Sequence, residues 1–304
     1  MPRTALEVRQ FPGGLFSTED QSLSTGSRFY VHSGTGTDAA GYGTDPDRPV
    51  ATLDYAIGLC TASVSDIIYV MPGHAETTTA IAADKIGIRI IGIGVGRNRP
   101  ALTATTAATD LVNVTAASTH IENIRFVGAA SGVTALLDIA AADCTVLNCV
   151  FEHGAAPLAA VTVQGSSHRF AFIDCQWYGT AAGPDYGIYI EAGAGLTTDN
   201  WRVIRPYAAY GGSAGLDLAF VRLDVPGTGY AILDAVILGF DTLAIDINSS
   251  VLAIGDGIVT GHAAASAAVT WANAVDAGGA IFSDFKISDD PATRGKSWPA
   301  ATPT

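Results

Sequence analysis

Ile121-Glu-Asn123-Ile-Arg-Phe126, Val146-Leu-Asn148-Cys-Val-Phe151 and Phe172-Ile-Asp174-Cys-Gln-Trp177 repeat one pattern: apolar, any residue, Asn or Asp, two further residues, apolar. Looser copies are Thr198-Asp-Asn200-Trp-Arg-Val203, Ile232-Leu-Asp234-Ala-Val-Ile237, Ile254-Gly-Asp256-Gly-Ile-Val259 and Phe282-Ser-Asp284-Phe-Lys-Ile287. The seven polar positions are 25, 26, 26, 34, 22 and 28 residues apart (148−123, 174−148, 200−174, 234−200, 256−234, 284−256). A period in the mid-twenties with one longer excursion is a solenoid signature.

Upstream of most copies lies an alternating apolar pair: Val112/Val114, Leu137/Ile139, Val161/Val163, Ile188/Ile190, Ile245/Ile247 and Val269/Trp271. Period-two alternation describes a strand with one buried face. The strands are too short to pair within their own unit, so they pair with the units above and below. That arrangement is a parallel β-helix with a core of Val, Ile, Leu and Phe. A β-sandwich is also strand-rich, but it has no reason to repeat one six-residue signature at a fixed offset.

Residues 29–288 form the solenoid in this reading, with residues 1–28 an N-terminal arm and 289–304 a Pro-containing tail. The spacing Leu53, Ala56, Ile57, Cys60 behind Thr52 predicts a short capping helix near 52–60. A solenoid end needs such a lid because it otherwise exposes unpaired strand edges.

The composition narrows the function. The chain of 304 residues has a formal charge of −13 and is 48% hydrophobic, so it can bury a core, and its acidity belongs to a folded surface. With three lysines (Lys85, Lys286, Lys296) and scattered arginines it lacks the basic face that nucleic acid requires. Every apolar stretch is broken well before the ~18 residues of a membrane span. Arg3, Glu7 and Arg9 interrupt the place where an export signal would be apolar. Cys60, Cys144, Cys149 and Cys175 have no zinc or disulfide-scaffold spacing and are read as buried thiols. No cofactor motif is present; the Gly-rich loop from Ser33 to Asp47 lacks the order of a nucleotide or Ca²⁺ loop.

The predicted column Asn123, Asn148, Asp174, Asn200, Asp234, Asp256, Asp284 is read as a structural ladder. An amide both donates and accepts along such a line, whereas stacked carboxylates repel and belong near solvent, bonded to turn amides. Glycoside hydrolysis needs two carboxyl groups facing across a cleft. Glu152, His153, Asp174 and Glu191 show no such convergence in the sequence, and Arg125, Arg169 and Arg202 share no coil position. His74 and Glu76 follow Pro72-Gly73 and are placed in a turn rather than a metal site, and the remaining histidines at the surface. Trp177 fills an apolar repeat position, so it belongs to the core. Tyr178, Tyr186, Tyr189, Tyr207 and Tyr210 are candidates for an oligomer interface or for stacking on host glycan.

Val31-His-Ser-Gly-Thr-Gly-Thr-Asp38, Gly43-Thr-Asp-Pro-Asp-Arg-Pro-Val-Ala-Thr-Leu-Asp-Tyr-Ala-Ile57 and Ile67-Ile-Tyr-Val-Met-Pro-Gly-His-Ala-Glu76 resemble the opening of pectate-lyase-like right-handed parallel β-helix proteins. Met71-Pro-Gly-His-Ala-Glu-Thr77 and Ile90-Ile-Gly-Ile-Gly-Val-Gly-Arg-Asn-Arg-Pro100 resemble β-helix virion proteins of tailed bacteriophages. The first resemblance implies an all-β fold of that hand, and trimeric spikes or carbohydrate-active grooves. The second implies a virion component. The expectation is therefore a non-enzymatic capsid decoration or cement protein, assembled in the host cytoplasm. It would be a homotrimer bound to the major capsid or a tail protein, without nucleic acid or membrane. The alternative is a tail spike or receptor-binding protein that binds host surface polysaccharide, with or without depolymerising it.

Overall fold

Each repeat unit folds into one coil of three short strands, and each strand hydrogen-bonds its equivalents one coil below and above. The structure, a computed structural model, describes residue 24 and residues 26–238 apart from 106–108, 131, 154–157, 180–183, 192–196, 211–218 and 226–228. Beyond these it describes the backbone of Gln10–Phe11, Gly14–Leu15, Leu243–Ile247, Ala253–Thr260, Ile281–Phe282 and Lys286–Ser288.

Three parallel faces result. The first stacks Ile67–Val70, Arg89–Gly92, His120–Glu122, Thr145–Leu147, Ala171–Ile173 and Arg202–Ile204. The second stacks Ala75–Thr78, Ala101–Ala104, Arg125–Gly128, Val150–His153, Gln176–Gly179 and Tyr207–Tyr210. Tyr230–Leu238 and Ala253–Thr260 run through the corner between them, so the two faces join as one sheet. The third face stacks seven strands from Ile81–Ala83 to Leu243–Ile247. This is the right-handed parallel β-helix that the repeat and the resemblance predict.

Like residues lie on like because the register is exact from coil to coil. Phe126, Phe151 and Trp177 stack through the core at ring separations of 5.1 and 5.2 Å. Phe170, Trp201 and Tyr230 form a second stack at 5.6 and 4.6 Å. Each such pair adds about 0.5–1.5 kcal/mol beyond the area it buries. All four cysteines are free and buried, and burial pushes Cys60 up to about 12 and Cys144 up to about 11.

The cap forms where expected. Leu53–Leu59 is helical, and the Thr52 hydroxyl accepts from the Tyr55 N–H at 3.3 Å. Asp38 accepts from the Ala51 and Thr52 N–H groups, and Asp66 from those of Ser27 and Thr61. The acidic residues of the opening thus tie the lid to the first coil.

Two columns of residues with positive φ turn the chain at the corners. Asn123, Asn148, Asp174, Arg205 and Asp234 (φ 50–58°) separate the first and second faces. Ser118, Asp143, Arg169 and Asn200 (φ 56–61°), with Gly87 below and Gly229 above, precede the first face. Asn200 is therefore not a member of the predicted ladder. Arg202 pairs with Ala171 and Ile204 with Ile173, which puts Arg205 opposite Asp174. With Arg205 in place the spacings become 31 and 29 (205−174, 234−205), and the 34-residue excursion disappears. Arg205 escaped the pattern because it is neither Asn nor Asp. Asp256 lies in Ala253–Thr260, where the register to Tyr230–Leu238 shifts by one residue. Asp284, Val269 and Trp271 lie outside the described residues.

On the third face Gly187 lies opposite Phe220 in the adjacent strand, and the Phe220 ring meets Trp177 edge-on at 5.0 Å. A Cβ on Gly187 would come within 2.4 Å of the ring and 2.8 Å of the Phe220 carbonyl oxygen. Gly187→Ala should lower stability in urea titrations by about 1–3 kcal/mol, and Phe220→Leu in the same chain should recover part of the loss.

Candidate functional site

The third face carries an outward column of polar residues. Asn113, Asp138, Thr162, Tyr189 and Arg222 occupy one position in five consecutive coils. They alternate with the inward Val112/Val114 and Leu137/Ile139 pairs, which makes this an outer column. Asp138 and Thr162 are nevertheless only 3% and 1% exposed. The Thr162 hydroxyl donates to one Asp138 oxygen at 2.7 Å and the Gln164 amide to the other at 3.1 Å.

Burial pushes the Asp138 carboxyl above its usual range, opposed by these two hydrogen bonds. Asp110 is raised by burial and then by the charge of Asp138, and Glu191 by burial and then by Asp138 and Asp110. Three carboxyl groups therefore share one partly desolvated patch, and each is raised chiefly by burial. A carboxyl that holds its proton to higher pH is suited to proton donation. Asp110 Oδ1 and Asn113 Oδ1 are buried without a hydrogen-bond partner, so two acceptors in the patch are unfilled.

Beside the carboxyl groups lies an aromatic half. Tyr186 and Tyr189 stack at 4.8 Å, and the Arg222 guanidinium lies 5.6 Å from the Tyr186 ring centre. Tyr189 donates to Asp224 at 3.0 Å, and Arg222 Nε donates to the other Asp224 oxygen at 2.9 Å. Burial, followed by the Asp224 bond and charge, pushes the Tyr189 hydroxyl up to about 12. The grouping of Glu191 with Asp138 and Asp110 was missed in the sequence. Its one signal is Asp138, a carboxylate inside the apolar run Ala135–Ile139.

The corner column is partly the amide ladder expected of it. Asn148 Nδ2 donates to Asn123 Oδ1 at 3.2 Å, and Asn123 Nδ2 donates to the Gly92 and Gly94 carbonyls at 2.8 and 2.9 Å. Above Asn148 the amides give way to charge: Arg205 grips Asp174 through two bonds of 2.6 and 2.7 Å. The other corner repeats the device, with Arg169 on Asp143 at 2.5 and 2.7 Å. Each guanidinium holds its carboxyl partner below the usual range.

The five tyrosines do not form one patch. Tyr178 and Tyr207 share the outside of the second face, 6.0 Å apart, with Tyr178 donating to Gln176. Tyr186 and Tyr189 belong to the third face, and Tyr186 is only 8% exposed. Tyr210 is core: 4% exposed, with its hydroxyl unpartnered. Its ring leans over Gly179 and stacks on His153 at 6.2 Å. His153 is fully buried and neither ring nitrogen has a partner, which corrects its expected surface placement. Burial pushes it down to about 3.

His74 and Glu76 share a buried face rather than a turn. The Ser33 N–H donates to His74 Nδ1 at 3.0 Å, which leaves the proton on Nε2 to donate to Glu76 Oε2 at 3.1 Å. The same Glu76 oxygen accepts from the Leu53 N–H at 2.9 Å, so the pair clamps the capping helix to the first coil. No group of three or more His, Cys, Asp or Glu side chains among the described residues is arranged to hold a metal ion. No helix among them is long and apolar enough to cross a membrane.

Solved structures place the chain in the class of right-handed parallel β-helices. A rhamnogalacturonan lyase superposes with TM-score 0.53 at 15% identity, covering 79% of this chain and 70% of that one. The pectin methylesterase of Aspergillus niger superposes with TM-score 0.51 at 15% identity, covering 93% of each chain. A Geobacillus virus E2 protein, ORF18, aligns more loosely, with TM-score 0.43 at 14% identity over 77% of this chain and 56% of its own. Such identities show a shared fold alone. No family model and no curated protein matches the sequence.

Two pH effects of opposite sign follow. Unfolded His153 titrates near 6.5 and folded His153 near 3, so the unfolded chain gains a proton in that window and stability falls as pH drops. His153→Phe should shrink the loss in thermal stability between about pH 7.5 and about pH 4.5 by about 2–3 kcal/mol. The raised carboxyl groups act the other way, stabilising the fold in acid and losing that contribution as pH rises through their folded values. Glu191→Gln should therefore raise Tm at about pH 8 and leave it unchanged at about pH 4.

Proposed function

We propose that this chain is a non-enzymatic structural protein of a tailed-bacteriophage particle, a capsid decoration or cement protein working as a homotrimer. The observation that carries this reading is what its virion-like motif does in the fold. The residues of 67–100 that resemble phage β-helix proteins build the lid clamp: His74 and Glu76 are buried and consumed by the Ser33 and Leu53 amides. That motif is architecture.

The first face has nine successive strands from Ile67–Val70 to Ile281–Phe282 among the described residues, a stack about 40 Å tall at ~4.8 Å per coil. The arm precedes the first core strand, Arg28–Val31, and is the segment proposed to dock on the major capsid or tail protein. Ser24, Gly26 and Ser27 already belong to the lid, through Ser65 and Asp66. Deleting residues 2–23 should abolish particle attachment and leave Tm unchanged. Quantitative mass spectrometry of purified particles should find shell-like copy numbers, and a few copies at the tail would contradict the decoration role.

A second reading is favoured by the Asp110, Asp138, Glu191 patch with its tyrosine stack, which suits a protein that binds and depolymerises host surface polysaccharide. Incubation with bacterial capsule or lipopolysaccharide should release neither reducing ends nor unsaturated sugars. Release that disappears in Asp138→Asn and Glu191→Gln would establish the second reading and overturn the first.

A further inference from the structure

The outside of the first face differs from the other two. Tyr69, Ile91, Leu147, Ile173, Ile204 and Leu233 occupy one outward position, in register through the coils, and all are partly exposed. The column is interrupted once, by Glu122, whose carboxylate is 3.2 Å from His120 Nε2. The equivalent column of the third face is Asn, Asp, Thr, Tyr and Arg. At the foot of the stripe, beside Ile91, Ile93 is 41% exposed and Val95 81%, the most exposed large apolar side chain among the described residues.

We infer that this stripe is a self-association seam, occupied by a second copy of the same chain with its solenoid axis alongside. Three features select that occupant. The stripe repeats at ~4.8 Å for about 29 Å, a period that a second copy of the same solenoid matches along its whole length. Six coils of stripe and its flank, ~15 Å wide, cover about 435 Å² per copy and about 870 Å² in total, the size of a weak, reversible interface. The chain carries a formal −13, so two copies repel over most of their surfaces. This face holds a single acid already paired with histidine, and the flanking column carries Arg89 and Arg202.

The inference rests on the homotrimer part of the proposed function and is independent of the virion part, because its test uses the isolated protein. Size exclusion with light scattering at tens of micromolar should show a dimer or trimer of the full chain. Ile173→Lys with Ile204→Lys should give a monomer with an unchanged far-ultraviolet spectrum. Val127→Lys with Ala209→Lys, on the outside of the second face, should leave the assembly intact. Should the lysine variant misfold, Leu147→Cys supplies a separate readout. The four native thiols are buried, so a bismaleimide should join copies only through position 147. A monomeric wild-type chain, an assembled Ile173/Ile204 variant, or no cross-link at 147 overturns the inference. So does a wild-type monomer that uses the stripe to bind purified major capsid protein.

Discussion

Everything in this molecule follows from stacking identical strands in parallel, without stagger, at one inter-strand spacing. A residue's closest neighbours are then its own equivalents one coil away. The core rewards this, since apolar side chains pack best on flat, similar partners: hence the column Phe126, Phe151, Trp177 and the column Phe170, Trp201, Tyr230. Where two large rings would collide, a glycine intervenes. Gly187 admits Phe220 and Gly179 admits Tyr210, so volume is balanced along the solenoid axis rather than within a coil.

The same rule is hard on polar and charged residues, because it places like beside like. The corners show the solutions. Asparagine stacks on asparagine, as Asn148 does on Asn123, because an amide supplies both halves of a hydrogen bond. A carboxylate cannot, so Asp174 and Asp143 each lie beneath an arginine of the next coil. The corner residues also adopt positive φ without glycine, a backbone cost borne because the turn is over-determined by the strands on either side. On the third face no arginine answers the acids: burial raises Asp138, Asp110 and Glu191, and the charge of Asp138 adds to the shift of the other two. That desolvated grouping, with Asp138 held by Thr162 and Gln164 rather than by an arginine, distinguishes the patch from the corners and makes it the second reading's site.

The lid closes the end of the solenoid, and the stripe is the surface on which the inferred self-association rests. A strand edge at the end of the stack would recruit any extended chain, and the helix Leu53–Leu59, held by Glu76 and Thr52, closes it. Along its side the first face keeps a column of partly exposed apolar residues broken only by Glu122. Selection for solubility alone would have made it polar, as on the third face.

The sequence by itself determined the coil. Periodic Asn and Asp, upstream apolar pairs and the Thr52 cap are local signals; Asn123, Asn148, Asp174, Asp234 and the Thr52 cap fall where the structure has them, because strand alternation and capping depend on near neighbours. The tertiary structure decided what depends on register. That Arg205 rather than Asn200 continues the ladder, that His153 and Tyr210 meet across Gly179, and that Glu191 joins Asp138 two coils away are all facts about which residue stacks on which. Loop lengths vary from coil to coil, so counting along the chain loses the register, and only the hydrogen bonds between coils restore it.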